Sequence, residues 1–181
     1  MFIKGSEVVT GWVQIQPKVW QITLPPDYFG NYNPYADSLF GDWLEYPKDG
    51  SVHTGQVYLN GMALYEAKSL EELACPQQRT TGMSPDWSNR IEYIPEPEKT
   101  VYQWFAQMLQ DGSTAIHIRV QDEDPNLALT EINVRKCCFY PEKAGRNFIT
   151  VRGFEMAHAA VNWAPPTGEQ LGLLGAHWSW G

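Results

Sequence analysis

The sequence is poor in basic side chains, with 13 Lys and Arg against 21 Asp and Glu and a formal net charge of −8. A chain of that balance offers no electrostatic footprint for a phosphate backbone, which excludes nucleic acid as a partner. No apolar run approaches the roughly 20 residues that a spanning helix needs, so no membrane partner is expected either. Cysteine is scarce. Cys75 and the neighbours Cys137 and Cys138 form an odd set without CxxC spacing, which excludes a disulfide framework. His53, His117, His158 and His177 stand too far apart in the chain to complete a zinc site, and no metal or other cofactor is expected. Met1–Glu7 shows no basic stretch followed by an apolar core. The expectation is therefore a cytoplasmic protein, and it lapses if the chain is part of a longer one.

What the chain has is apolar and aromatic surface. Hydrophobic residues make up 43%, among them eight Trp, nine Tyr and seven Phe, enough for a packed core and too much for disorder. The dominant pattern is period-two alternation broken by Gly, Pro, Asn and Asp. It predicts strands at residues 8–16, 18–24, 39–46 and 56–67, a short helix at 69–75, and a further strand at 90–94. The clearest strands come next: 101–108 with Tyr102, Trp104 and Ala106 on one face, and 113–120 with Ile116, Ile118 and Val120 inward. Glu131 to Lys136 repeats the pattern with Ile132 and Val134 in. His117, Arg119, Glu131, Asn133 and Arg135 are then expected to face outward.

Short strands with little helix predict an all-β fold, an antiparallel β-sandwich over residues 26–145. Residues 146–181 differ: Asn147–Met156 is a brief apolar strand with a Gly break, and Leu171-Gly172-Leu173-Leu174-Gly175 returns about one coil later. That spacing predicts a rung of a parallel β-helix, with residues 1–25 supplying its edge strands. One rung cannot bury its own apolar face. Leu173, Leu174 and Trp178 are expected to be exposed, or paired in a homo-oligomer through that open end.

Candidate chemistry is thin. Glu155 and His158 lie three residues apart, a spacing open to an acid/base pair or to plain structural hydrogen bonding. Trp163-Ala164-Pro165-Pro166-Thr167 and His177-Trp178-Ser179-Trp180 are rigid and aromatic, suited either to stacking on sugar rings or to capping a core. The acidic turn 121–126 lacks the spacing of a calcium loop and reads as solvated. Arg135 and Lys136 precede Cys137 and Cys138, yet no resolving partner marks either thiol as catalytic. A retaining glycosidase needs two carboxylates about 5 Å apart. Asp42, Glu45, Glu131 and Glu155 are candidates by type alone, and nothing in the spacing brings two of them together.

Longer words in the chain carry more. Phe40-Gly41-Asp42-Trp43-Leu44, Val57-Tyr58-Leu59-Asn60-Gly61-Met62, Asp124-Pro125-Asn126, Glu131-Ile132-Asn133-Val134-Arg135 and Cys138-Phe139-Tyr140-Pro141 occur in order. The longest run is Ile149 to Ala160, followed by Trp163 to Thr167. In these words the chain resembles the β-xylosidases of glycoside hydrolase family 120 along essentially its whole length. The resemblance implies a right-handed parallel β-helix with a β-sandwich inserted near its start, and metal-free hydrolysis of β-xylosides with retention, by an aspartate nucleophile and a glutamate acid/base. Those two residues lie on later coils in the family, so no position here is expected to be catalytic.

Three functional expectations follow. The first is a non-catalytic N-terminal portion of a β-xylosidase-like glycoside hydrolase acting on xylo-oligosaccharides, inactive alone. In it Glu155, His158, Trp163, His177 and Trp178 would line the cleft for xylose or xylo-oligosaccharide. The second is a self-standing carbohydrate-binding or interaction module. The third is a hydrolase that uses Glu155.

Overall fold

The computed structural model describes residues 1–39, 51–82, 90–162 and 171–179. Its elements in chain order are β1 (Phe2–Lys4), β2 (Ser6–Val8), β3 (Val13–Gln16), β4 (Val19–Leu24), β5 (Val57–Leu59), β6 (Met62–Ala63) and β7 (Tyr65–Glu66). They continue with α1 (Leu70–Ala74), a 3-10 turn at Pro97–Val101, β8 (Gln103–Met108), β9 (Thr114–Arg119), β10 (Thr130–Asn133) and β11 (Glu155–Ala157). The strands form a four-stranded sheet in the order β2-β10-β5-β6, a five-stranded sheet in the order β3-β4-β9-β8-β7, and a separate parallel pair of β1 with β11. Apart from the parallel β7–β8 contact, the two larger sheets are antiparallel. The fold is all-β.

The core lies between the two larger sheets. Leu24, Trp104, Ala106, Ile116 and Ile118 from one meet Val57, Leu59 and Ile132 from the other. Alternation thus places the inward residues of β8, β9 and β10 as expected. Tyr35 crosses the core edge-on to Trp104, ring centroids 5.4 Å apart, and its hydroxyl donates to the Gln56 carbonyl at 2.8 Å. An edge-on pair of this kind uses the ring quadrupole as well as burial.

Several outward assignments fail, for one physical reason. Period two separates two faces of a strand but does not say which face is wet. His117 on β9 is only 2% exposed, set between Gln21, whose side-chain oxygen lies 3.1 Å from its Nε2, and the Phe105 ring, on a face that α1 covers in part. Arg119 lies on the same side and donates to the Ala74 carbonyl at 2.7 Å, satisfying a C-terminal carbonyl of α1. The helix starts at the N-cap Ser69, whose hydroxyl accepts from the Glu72 amide, while the Glu72 carboxylate reaches back past the cap to accept from the Lys68 amide. Glu131 and Asn133 on β10 are also buried; Arg135 alone of that set is exposed, paired with Glu7.

Strand boundaries shift as well. The strand expected at 8–16 is broken at 9–12, where the chain passes from the four-stranded to the five-stranded sheet. Buried Trp12 pins that crossing, its indole donating to the Val9 carbonyl, while the Asn126 side chain accepts from the amides of Gly11 and Trp12 at 2.8 Å each. Residues 56–67 are three strands, since Asn60 and Gly61 both take positive φ (50° and 83°) in a tight hairpin turn. At 90–94 only one bridge forms, between Tyr93 and Thr81. All of the strand expected at 39–46 except Leu39 falls outside the described residues, and so do Asp42 and Glu45. Residues 13–24, expected among the edge strands of a coil, pair instead within the five-stranded sheet. β4 runs against β9 from Val19–Arg119 to Leu24–Thr114, so its backbone groups are already spent inside the sandwich.

Candidate functional site

Where the sandwich meets the β1–β11 pair, β10 brings Glu131 under the chain ends. Alternation puts Glu131 opposite the core side of β10, and β1, β2 and residue 158 close over it. The carboxylate is 2% exposed and accepts from Lys4 Nζ at 2.9 and 2.8 Å and from Ser6 Oγ at 2.8 Å. His158 Nδ1 lies 3.4 Å from both Glu131 Oε2 and Ser6 Oγ. The Ser6 proton is directed at Glu131, so both groups face His158 as acceptors. Facing two acceptors, Nδ1 is the nitrogen that carries a proton. The imidazole stacks on Tyr58, centroids 3.8 Å apart and planes 12° from parallel.

The electrostatics follow from burial and partners. Burial by itself would raise the Glu131 carboxyl, but the hydrogen bonds from Lys4 and Ser6, with the nearby charges of Lys4 and His158, hold it below its ordinary value. Tyr58 is pushed up to about 12, first by burial and then by the Glu131 charge. The carboxylate neighbour of His158 is therefore Glu131 and not Glu155. Glu155 sits on β11 opposite Phe2, exposed, with no side-chain partner among the described residues.

Two backbone features fix this junction. Gly5 is crossed so closely by the chain that an added Cβ would lie 2.5 Å from the Cα of Ala159. Its carbonyl accepts from the amides of Val134 and Arg135 at 2.8 and 3.0 Å. His158 adopts φ 58°, a left-handed conformation that costs a non-glycine residue on the order of 1–3 kcal/mol and persists only where surrounding contacts impose it. The Tyr58 stack and the two acceptors are those contacts.

His177 and Trp178 lie elsewhere, after a segment in which Leu174 bridges in parallel to Phe139. His177 Nδ1 donates to the Pro141 carbonyl at 2.7 Å and its ring stacks on Tyr140, centroids 4.6 Å apart. Both residues are left-handed (φ 49° and 53°), and Trp178 is 62% exposed, with Leu173 and Leu174 also exposed. Four of the five expected cleft residues thus divide between two places, Glu155 and His158 at the end of β11 and His177 and Trp178 in this aromatic turn; Trp163 lies outside the described residues. Alongside the turn runs a cleft of about 670 Å³, with Phe139, Arg146, Phe148, Leu174 and Ser179 in its walls.

The Cys137 thiol is not activated. Burial, then Cys138, pushes the Cys137 thiol up, and Lys136 offsets this only in part. Cys138 Sγ donates weakly to the carbonyls of Ile3 and Ala157. Among the described residues no group of three or more His, Cys, Asp or Glu side chains is placed to hold a metal ion.

Sequence reasoning missed the partnership of Lys4, Ser6, Tyr58 and Glu131. They are separated by up to 127 residues along the chain, and only pairing of β2 with β10 and of β10 with β5 assembles them. Two of the motif words each carried one member, Tyr58 in Val57–Met62 and Glu131 in Glu131–Arg135, and neither word says that the two meet.

Comparison with known proteins identifies the architecture. Residues 9–132 match the model of the glycoside hydrolase 120 insertion domain. A solved structure of XylC in complex with xylose superposes with a TM-score of 0.90 at 46% identity, covering 97% of this chain. The chain spans 27% of the length of that protein. No curated protein sequence gives a significant match.

Proposed function

The chain belongs to glycoside hydrolase family 120, and from that membership we propose that it is the non-catalytic N-terminal portion of a β-xylosidase-type enzyme. In this reading it carries the sandwich and the first turns of a parallel β-helix, and supplies one wall of a cleft for xylo-oligosaccharide. The observation that carries the proposal is the pairing at the sandwich's exit. β1 lies parallel to β11, Phe139 lies parallel to Leu174, and the Gly5 carbonyl joins the chain before the sandwich to Val134 and Arg135 after it. Residues 2–4 with 139, and 155–157 with 174, then form two successive turns of one coil, with the sandwich inserted into the first. Stacked turns of this kind present loops along one side, where a saccharide is held.

The role of the buried Glu131 cluster in this reading is to lock the insert to the coil. His177 and Trp178, together with Glu155 and His158, are proposed as wall residues, and none is assigned a bond-breaking role. Two measurements test the proposal. The chain should give no turnover of an aryl β-xyloside, and turnover that disappears in Glu155→Gln would overturn it. Titration with xylotriose, followed by Trp fluorescence, should show only weak millimolar binding; tight binding would instead favour a self-standing carbohydrate-binding module.

A further inference from the structure

We propose that the cleft between residues 139–151 and 174–179 takes a carboxylate-bearing pyranose, a uronic acid residue, with Arg146 as the group that selects it. The pyranose part rests on the sugar-wall reading above, and the carboxylate part rests on the cleft itself.

The argument starts from charge. The protein is acidic, with a net charge of −8, yet among the described residues no Asp or Glu lines this cleft of about 670 Å³, a volume typical of small-molecule sites. The charged side chain in its wall is Arg146, which pairs with no acid among the described residues. Elsewhere Lys4, Lys99 and Arg135 are each matched to a carboxylate. A planar guanidinium left open in an otherwise uncharged cleft is matched best by a carboxylate, which it can grip through two parallel hydrogen bonds.

The second observation is a hydroxyl. Ser179 Oγ is buried in the cleft wall and has no hydrogen-bond partner among the described residues. A buried polar group in that state calls for a partner, and a sugar hydroxyl supplies both donor and acceptor. The third is an aromatic face. Phe148 is 95% exposed and held at φ 62°, a conformation that a bulky side chain rarely adopts. Its ring stands at the cleft with Phe139 and Leu174, offering apolar surface to the C–H face of a pyranose. A neutral xylose would use that surface and the hydroxyl but leave the Arg146 charge unmatched. A bare anion would use Arg146 and neither of the others.

The test is calorimetric titration of the chain with glucuronate, xylose and acetate at low ionic strength. Glucuronate is expected to bind at least about 10-fold tighter than either of the others, the gain from one charge-assisted pair. In Arg146→Gln the ratio of glucuronate to xylose affinity should fall close to one, with an unchanged melting temperature showing that the exposed site has not unfolded the chain. Phe148→Ser should weaken glucuronate while leaving acetate as weak as before. Equal affinity for glucuronate and xylose in the wild type overturns this proposal and leaves the sugar-wall reading standing. Acetate binding as tightly as glucuronate overturns the pyranose part. Failure of both sugars to bind overturns both readings.

Discussion

Removing the Glu131 carboxylate should separate the sandwich from the β1–β11 pair. In Glu131→Ala, the Lys4 ammonium and the Ser6 hydroxyl lose their shared acceptor. Breaking a fully buried ion pair from one side costs about 3–5 kcal/mol. Lys4 is 33% exposed and can turn partly to water, which places this case toward the lower end, at about 3 kcal/mol with the stranded Ser6 hydroxyl included. For a protein of this size that corresponds to a fall of about 6–12 °C in melting temperature. Glu131→Gln keeps the shape and an acceptor but not the charge, and should cost about 1–2 kcal/mol. The pH arm is independent of these values. The folded-state carboxyl of Glu131 titrates below its ordinary value of 4.5, so its contribution is fully present above that pH and is lost as pH falls through the depressed folded value. Urea midpoints read by Trp fluorescence from pH 7 down to pH 3 should therefore fall more steeply for wild type than for Glu131→Gln. A loss below about 1 kcal/mol in Glu131→Ala, or parallel pH profiles, would refute the reasoning.

Gly5→Ala places a methyl group 2.5 Å from the Ala159 backbone, so the crossing chains must part; a loss of at least about 2 kcal/mol is expected, and a melting curve matching wild type would show that the contact yields freely. His117 is held neutral by burial, its folded value lying below the usual 6.5, so its contribution to stability is complete above pH 6.5 and fades as pH falls through the folded value. The difference in urea midpoint between pH 7.5 and pH 5 should accordingly shrink in His117→Gln, and an unchanged difference counts against the assignment. Asn126→Ala leaves the Gly11 and Trp12 amides without their acceptor and should cost about 1–3 kcal/mol, with faster hydrogen exchange at those two amides as the local signature.

Ile116, Ile118 and Ile132 were legible as core from alternation alone, because one apolar face per strand must be buried somewhere. The cap at Ser69 was equally local, written in a serine three residues before Glu72. The Asn60-Gly61 turn was also written in the sequence, as the dipeptide that best tolerates two positive φ values in succession, and reading 56–67 as one strand overlooked it. The crossing at 9–12 was not legible. Nothing local says that Val8 and Val13 serve different sheets, because that depends on Asn126 arriving from more than 110 residues away to cap the bend.

By itself, the sequence determined the all-β class, the inward faces of the central strands, the helix cap and, through its longer words, the family. Those properties arise from short-range backbone preference, from a two-residue period and from runs long enough to be specific. Tertiary structure alone decided which outward faces stay dry and which polar groups meet. Glu131 and His117 alternate like surface residues and are buried, since distant segments of the chain pack over those two positions. Lys4, Ser6, Tyr58 and His158 become partners of Glu131 only when the chain closes on itself. Arg146 and Ser179 likewise share one cleft only because residue 174 returns beside residue 139. Charge and hydrogen bonding act over a few ångströms of space, and only folding sets those distances.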